Sequence, residues 1–223
     1  LSLVGSEMCI RDRLRPPMSI PGKRKGLCEV RAAGYSPGMS QNPPSLRPDL
    51  ARALVPDERR EGINRLSARS FGRGEPYTTR YQQIAQTDSN FLVRATALRA
   101  LNRSRDASAT PLFIQGLSDP QLRVRLESVK ALANVPDEAA IPRLLQMAAD
   151  TREDRDVRIA AADALRNYQR VEVARGLISL LNQRDFAIAW QARQSLVGLT
   201  RADFKYDEGA WLGLLASDTN PFG

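Results

Sequence analysis

The side chains with chemistry to offer in this chain are carboxylates and arginines set at a repeating distance. Asp88 and Asp119 each stand six residues ahead of an arginine, Arg94 and Arg125, and Asp154 and Asp156 crowd Arg158. An acid and a guanidinium repeated in this way make either an ion site or a ladder of hydrogen bonds that caps helices and joins neighbouring units. Recurrence in successive copies favours the ladder, because a site is usually unique. No histidine occurs anywhere, which removes imidazole-based acid/base, nucleophile-activating and metal-ligating schemes together. The two cysteines, Cys9 and Cys28, both precede the repeated part, which is left without thiolate ligands or a disulfide framework. A Gly-rich phosphate loop, a metal-spaced ligand cluster, a nucleophile elbow and a carboxylate pair are all lacking. The residues therefore predict no catalytic, cofactor-binding or metal site, and a protein that is not an enzyme.

Four segments carry this recurrence: VRATALRALN from Val93, VRLESVKALA from Val124, VRIAAADALR from Val157 and IAWQARQSLV from Ile188, at offsets of 31, 33 and 31. The leading apolar residue is followed four positions on by Ala97, Ser128, Ala161 and Ala192, and then by Ala100–Leu101, Ala131–Leu132, Ala164–Leu165 and Ser195–Leu196. These positions form one helical stripe in which small residues admit a neighbouring helix and leucine fills the gap. A second apolar helix follows each first one. Ala109–Ile114 aligns with Ala140–Leu145, and Val173–Ile178 continues the series. Pro111 and Pro142 fall in the first turn of these helices, where a missing amide proton costs little. Asp119–Pro120 and Asp137 read as helix starts. A period of this size predicts an all-α solenoid of stacked antiparallel helical hairpins.

The formal charge of +8 suggests a polyanionic partner, so its location matters. Residues 1–56 hold 9 Lys/Arg and 4 Asp/Glu, whereas residues 57–223 hold 24 and 21, a net of only +3. The repeats are nearly balanced. Nucleic-acid binding through Arg123, Arg125, Arg152, Arg155 and Arg158 is thereby disfavoured, because phosphate recognition needs a clustered excess of charge. No apolar run reaches the roughly 18 residues of a membrane span.

Ser2–Arg13, SLVGSEMCIRDR, closely resembles the translation of a transposon-end sequencing adapter. It has no apolar stretch suited to a signal peptide. Residues 14–48 are rich in Pro, Gly, Ser and basic residues without helical or strand periodicity, which reads as disordered or as read-through sequence. The organisation expected is thus residues 1–13 as a translated adapter, 14–48 as a disordered or non-native tail, and 49–223 as the solenoid. Its units run over about 57–87, 88–118, 119–150, 151–183 and 184–200, with a C-terminal cap over 201–223. The first unit is degenerate, with Arg59, Gly62, Ile63 and Leu66 matching Arg94, Ala97, Leu98 and Leu101, as terminal units of a stack usually are. The compartment is left open. The chain as given implies the cytoplasm by default, and a different native start would allow export.

The pattern D-P-x-x-x-V-R-x-x-A-x-x-A-L, a loop, then A-x-P-x-L-x-x-x-L resembles HEAT repeats of the short bacterial type, which include the phycobilisome-lyase-like group, over roughly residues 88–200. LVGLTRADFKYDEGAW, from Leu196 to Trp211, is similar to the ending of a group of bacterial HEAT-repeat proteins, with Arg201 and Lys205 where that pattern has glycines. Asp203, Phe204, Tyr206, Asp207 and Trp211 match it and read as a cap folded over the last hairpin, or alternatively as a ligand pocket. The resemblance implies a bacterial, metagenomic source and a non-catalytic scaffold that binds a protein or peptide. In such solenoids the second helices usually line the concave face, which here gives a partner-binding row of Gln115, Gln146 and Ser179 flanked by Arg143 and Arg175. The lyase-like repeats leave a bilin lyase subunit as the alternative in the enzyme class.

Overall fold

In a computed structural model the described residues are 55–217 and 220–222, and they form ten α-helices without a strand. Expectations for residues 1–54, the adapter-like segment and the basic tail among them, lie outside the described residues. The helices alternate between two rows. The first row holds α1 (Pro56–Ser67), α3 (Phe91–Ser104), α5 (Leu122–Asn134), α7 (Arg155–Leu165) and α9 (Phe186–Thr200). The second holds α2 (Tyr77–Thr87), α4 (Thr110–Gly116), α6 (Ile141–Ala149), α8 (Val171–Ile178) and α10 (Glu208–Ala216). This is the all-α solenoid that the period predicts.

Local sequence fixes where these helices begin. Asn90, Asp154, Asp185 and Asp207 cap α3, α7, α9 and α10 by accepting backbone amides through their side chains. Pro111 and Pro142 occupy first-turn positions of α4 and α6, as expected from their spacing. Two of the predicted caps act one element away. Asp137 caps the short 3₁₀ turn Glu138–Ala140 ahead of α6, as Asp106 caps Ala107–Ala109 ahead of α4. The Asp119 carboxylate accepts the amide of Gln121, which itself stands at the start of α5.

First-row helices pack side by side along the stack, while each second-row helix lies against the first-row helix of the following unit. A helix such as α5 is therefore covered on several sides, and Val124, Leu126, Val129, Ala131 and Leu132 are all buried. The small residues predicted to admit neighbours do so: Ala97, Ser128, Ala161 and Ala192 are fully buried. Two glycines serve the same end in the second row. A Cβ on Gly116 would stand 2.1 Å from Ser128 Oγ, and one on Gly176 would stand 2.4 Å from Leu145 Cδ2.

At the far end of the stack, α10 stands beside α8 and completes the second row. Trp211 is 1% exposed, its indole N–H donates to Lys205 O at 3.1 Å, and the Phe204 ring meets it edge-on at 5.1 Å. Arg201 (φ 62°) and Lys205 (φ 55°) take left-handed backbone conformations at the two positions where the related pattern has glycine. The loop keeps that shape at the expense of some strain. The aromatic tail thus packs against α8 and, through Arg193–Asp203, against α9.

Candidate functional site

Three ladders of polar side chains cross the boundaries between units. The best covered is the acid/arginine series. Arg59 pairs with Asp88 (2.8 Å), Arg94 with Asp119 (3.0 Å) and Arg125 with Glu153 (2.7 Å), each between one unit's first-row helix and the loop that opens the next. Arg94 and Arg125 also donate to the carbonyls of Asp88 and Asp119 in their own units, so each guanidinium ties one loop to the next. In the fourth unit Arg158 is buried and bonds to Gln183 and to Ala148 O, and in the fifth Ala189 ends the series. Of the two readings that the sequence allows for this recurrence, the ladder is the one built.

The second ladder runs across the outward face of the first row. Arg99 makes a bidentate pair with the buried Glu127 of the next helix (2.6 and 3.1 Å), and Gln191 donates to Asp163 at 2.9 Å. Between these rungs, the position aligned with Arg99 and Asp163 is Lys130, and the one aligned with Glu127 and Gln191 is Ala160. Lys130 is exposed, and among the described residues it makes no ion pair or hydrogen bond. The rung is missing, and a depression of about 670 Å³ opens there, floored by Leu126, Ala133, Ile159 and Ala160 and edged by Lys130, Asp163 and Arg166.

The third ladder joins the C-terminal ends of the same helices. Arg103 donates to Ser67 Oγ (2.9 Å), Asn134 to Asn102 Oδ1 (2.9 Å) and Asn167 to Ala133 O (2.8 Å). The aligned residue in the fifth unit is Gly198, which has no side chain to reach back. A second depression, of about 850 Å³, opens at this gap and contains Arg166, Arg170, Arg201 and Gly198. Arg166 borders both depressions.

The residues of the partner-binding row expected on the second helices lie outside both depressions. Gln115, Gln146, Arg175 and Ser179 are exposed and Arg143 is half-buried. Arg143 donates to Gln146 at 2.7 Å, and Gln115 lines a smaller cleft of about 330 Å³ beside the Arg94–Asp119 pair. Sequence reasoning did not pick out Lys130, Ala160, Arg166 or Gly198. The signal that could have found them is their departure from aligned positions that otherwise pair. Of the arginines weighed for nucleic acid, Arg125, Arg152, Arg155 and Arg158 are all engaged within the protein, by Glu153, Asp150, Asp185 and Gln183.

Electrostatics follow the same contacts. The Arg193 guanidinium beside Asp203, at 2.5 Å, holds that carboxyl down at about 2, with the Lys205 amide contributing. Arg155 likewise lowers Asp185. Burial pushes the Tyr81 phenol up to about 12, and its hydroxyl donates to Gly72 O at 3.1 Å. All of these groups hold units or the cap together and none faces the depressions. Among the described residues no group of three or more His, Cys, Asp and Glu is placed to hold a metal ion, and no helix is long and apolar enough to cross a membrane.

Fold and surface together define a helical-repeat scaffold. Residues 80–166 match the family model of HEAT repeats. Among solved structures the chain is similar to an engineered protein, Northeast Structural Genomics Consortium target OR329, at 18% identity and a TM-score of 0.55, over 78% of this chain and 89% of that one. At that identity the likeness shows the fold alone. A 34-residue stretch is 65% identical to ribosomal protein uS12 methylthiotransferase RimO of Jannaschia sp. (strain CCS1). It covers 15% of this chain and 7% of that protein, and so short a match assigns no activity here.

Proposed function

We propose that the chain is a non-catalytic scaffold that binds a protein partner on the outward face of its first-row helices. The observation that carries this reading is the coincidence of the two large depressions with the two gaps in otherwise regular ladders. Where the rungs are present the surface pairs with itself. Where they are missing it exposes an apolar floor together with Lys130 and Arg201, which make no ion pair among the described residues, the composition of a recognition surface. The match to HEAT repeats supports the same reading, because stacked helical hairpins present extended surfaces for binding. The bilin lyase alternative rests on resemblance alone and gains no support from the surface.

A photo-crosslinking residue placed in the full chain tests the proposal. It would replace Gln191 on the first-row face or Gln146 on the second-row face, with adducts collected from a lysate of the source and identified by mass. The expected result is a discrete polypeptide adduct from position 191. Repeated failure to obtain one from either face would overturn the scaffold reading, and an adduct from position 146 alone would move the partner to the second-helix row of Gln115, Arg143, Gln146, Arg175 and Ser179.

A further inference from the structure

We infer that the two depressions form one groove for an acidic polypeptide segment with an apolar anchor residue, and that Gly198 keeps the charged end of that groove open. The inference rests on the scaffold reading above and adds the chemistry of what is bound.

Gly198 is the telling residue. It lies inside the fifteen-residue helix α9, where glycine weakens the helix and other residues serve better. Crowding does not require it: a Cβ added there would meet only Arg166 Cβ, at 4.0 Å. In this it differs from Gly116 and Gly176, whose added Cβ atoms would collide with a neighbouring unit. The residues aligned with Gly198 are Arg103, Asn134 and Asn167, and each reaches back to the preceding unit. A side chain of that kind at position 198 would lie across Arg166 and close the depression. Its absence has a consequence on the surface and none in the packing.

Charge selects the ligand. In the depression at Gly198 three guanidiniums, Arg166, Arg170 and Arg201, stand with one carboxylate, Glu138. Arg170 pairs with Glu138 and Arg166, at 3.2 Å, with Asp163 of the adjoining depression, both in exposed pairs that a ligand carboxylate can join. Arg201 makes no ion pair among the described residues. Lys130 supplies a fourth cation at the other end. Guanidiniums bind carboxylates in paired hydrogen bonds, so Asp or Glu side chains suit this end. The adjoining depression is different, with Leu126, Ile159, Ala133 and Ala160 in its floor and Asp156 and Asp163 on its rim. That half accepts one apolar side chain and repels a continuous polyanion. A nucleic acid would have to lay phosphates past both aspartates, whereas a polypeptide can place its anchor there and its acids beyond. The small net charge of residues 57–223, +3, agrees with a polypeptide.

The test uses the purified full chain and a display library of short random peptides. The enriched sequences are expected to carry one Leu, Ile, Phe or Trp next to two or more Asp or Glu residues. A fluorescein-labelled synthetic representative, followed by anisotropy, should bind about tenfold or more weakly to Lys130→Glu and to Gly198→Glu, the loss expected for a charge-assisted hydrogen bond. Gly198→Ala, which adds one carbon and no charge, should stay within about twofold. Circular dichroism on each variant separates lost binding from lost folding. Enrichment of neutral or basic peptides, or affinity indifferent to both glutamate variants, would overturn the inference. So would tight, strongly salt-dependent binding of poly(U) RNA that Gly198→Glu abolishes, since the groove would then serve nucleic acid. An empty selection also overturns it, and crosslinks from position 191 would show that the scaffold reading survives that failure.

Discussion

Replacing Gly198 and Gly116 by alanine is expected to move stability in opposite directions, and the structure gives both signs. At position 198 the added methyl meets nothing nearer than 4.0 Å and the residue is exposed, so the substitution changes helix propensity and little else. Alanine in a helix interior is favoured over glycine by about 0.5–1 kcal/mol. For a domain of this size that corresponds to a rise in Tm of roughly 1–4 °C. At position 116 the same methyl would sit 2.1 Å from Ser128 Oγ and 3.2 Å from Ser128 Cβ. The hydroxyl can rotate away, but Ser128 is fully buried and its Cβ is fixed to α5, so α4 and α5 must separate. Overpacking of that kind costs about 1–3 kcal/mol and should outweigh the same gain in propensity. Gly176→Ala belongs between them, because the atom it meets, Leu145 Cδ2 at 2.4 Å, is the end of a flexible side chain. Urea denaturation of the three variants against the parent, with the slope held common, measures the series. A Gly198→Ala variant no more stable than the parent would refute the claim that this glycine answers to the surface and not to the fold. A Gly116→Ala variant as stable as the parent would refute the claim that the unit boundary is tightly packed.

Three further expectations concern the ladders and the cap. Arg125→Ala should cost about 2–3 kcal/mol, below the 3–5 kcal/mol of a fully buried pair because Arg125 and Glu153 keep 18% and 10% of their side-chain surface exposed. A double-mutant cycle with Glu153→Ala that returned no coupling would show that the two residues act separately. Trp211→Ala should cost about 3–5 kcal/mol, with loss of amide-exchange protection over α10 first; protection unchanged there would mean that the cap is held by something else. Asp203 is held at about 2 by Arg193, below its ordinary 3.8, so its contribution is complete above pH 4 and fades as pH falls towards 2. Exchange of the 201–207 loop should accelerate across that window in the parent, and a similar acceleration in Asp203→Asn would point to other carboxylates.

The architecture was legible because burial recurs. Val93, Val124, Val157 and Ile188, the small residues after them and the prolines of α4 and α6 all repeat at one period, and all proved to occupy equivalent places. The packing of the C-terminal tail was legible as well, from the aromatic residues clustered near Trp211. The surface was not. Ala160 and Gly198 look like ordinary substitutions until the residue across the unit boundary is known, and the rungs they interrupt join residues 28 to 36 apart in the chain. The expectation for the second-helix row drew on how solenoids usually curve, and that convention says nothing about which aligned positions in this chain fail to pair.

Energetics explain why the gaps occur on these ladders and not on the acid/arginine ladder. Arg59–Asp88, Arg94–Asp119 and Arg125–Glu153 are mostly covered, and Arg94 and Arg125 share their hydrogen bonds among loop carbonyls and the next unit's acid. Loss of one partner there strands a desolvated charge. That ladder runs without a gap until Gln183 and Ala189, where the stack ends. Rungs such as Asn102–Asn134 lie in solvent, and exposed polar pairs contribute about 0–1 kcal/mol. A unit can give one up, as at Gly198, with little effect on the fold. On the Arg99–Glu127 ladder, where the acid is buried, the gap at Lys130 has Ala160 in place of the acid, so no desolvated charge is stranded there. In this solenoid the residues that the units share hold the stack together, and the proposed groove lies where residues break the pattern on the other ladders.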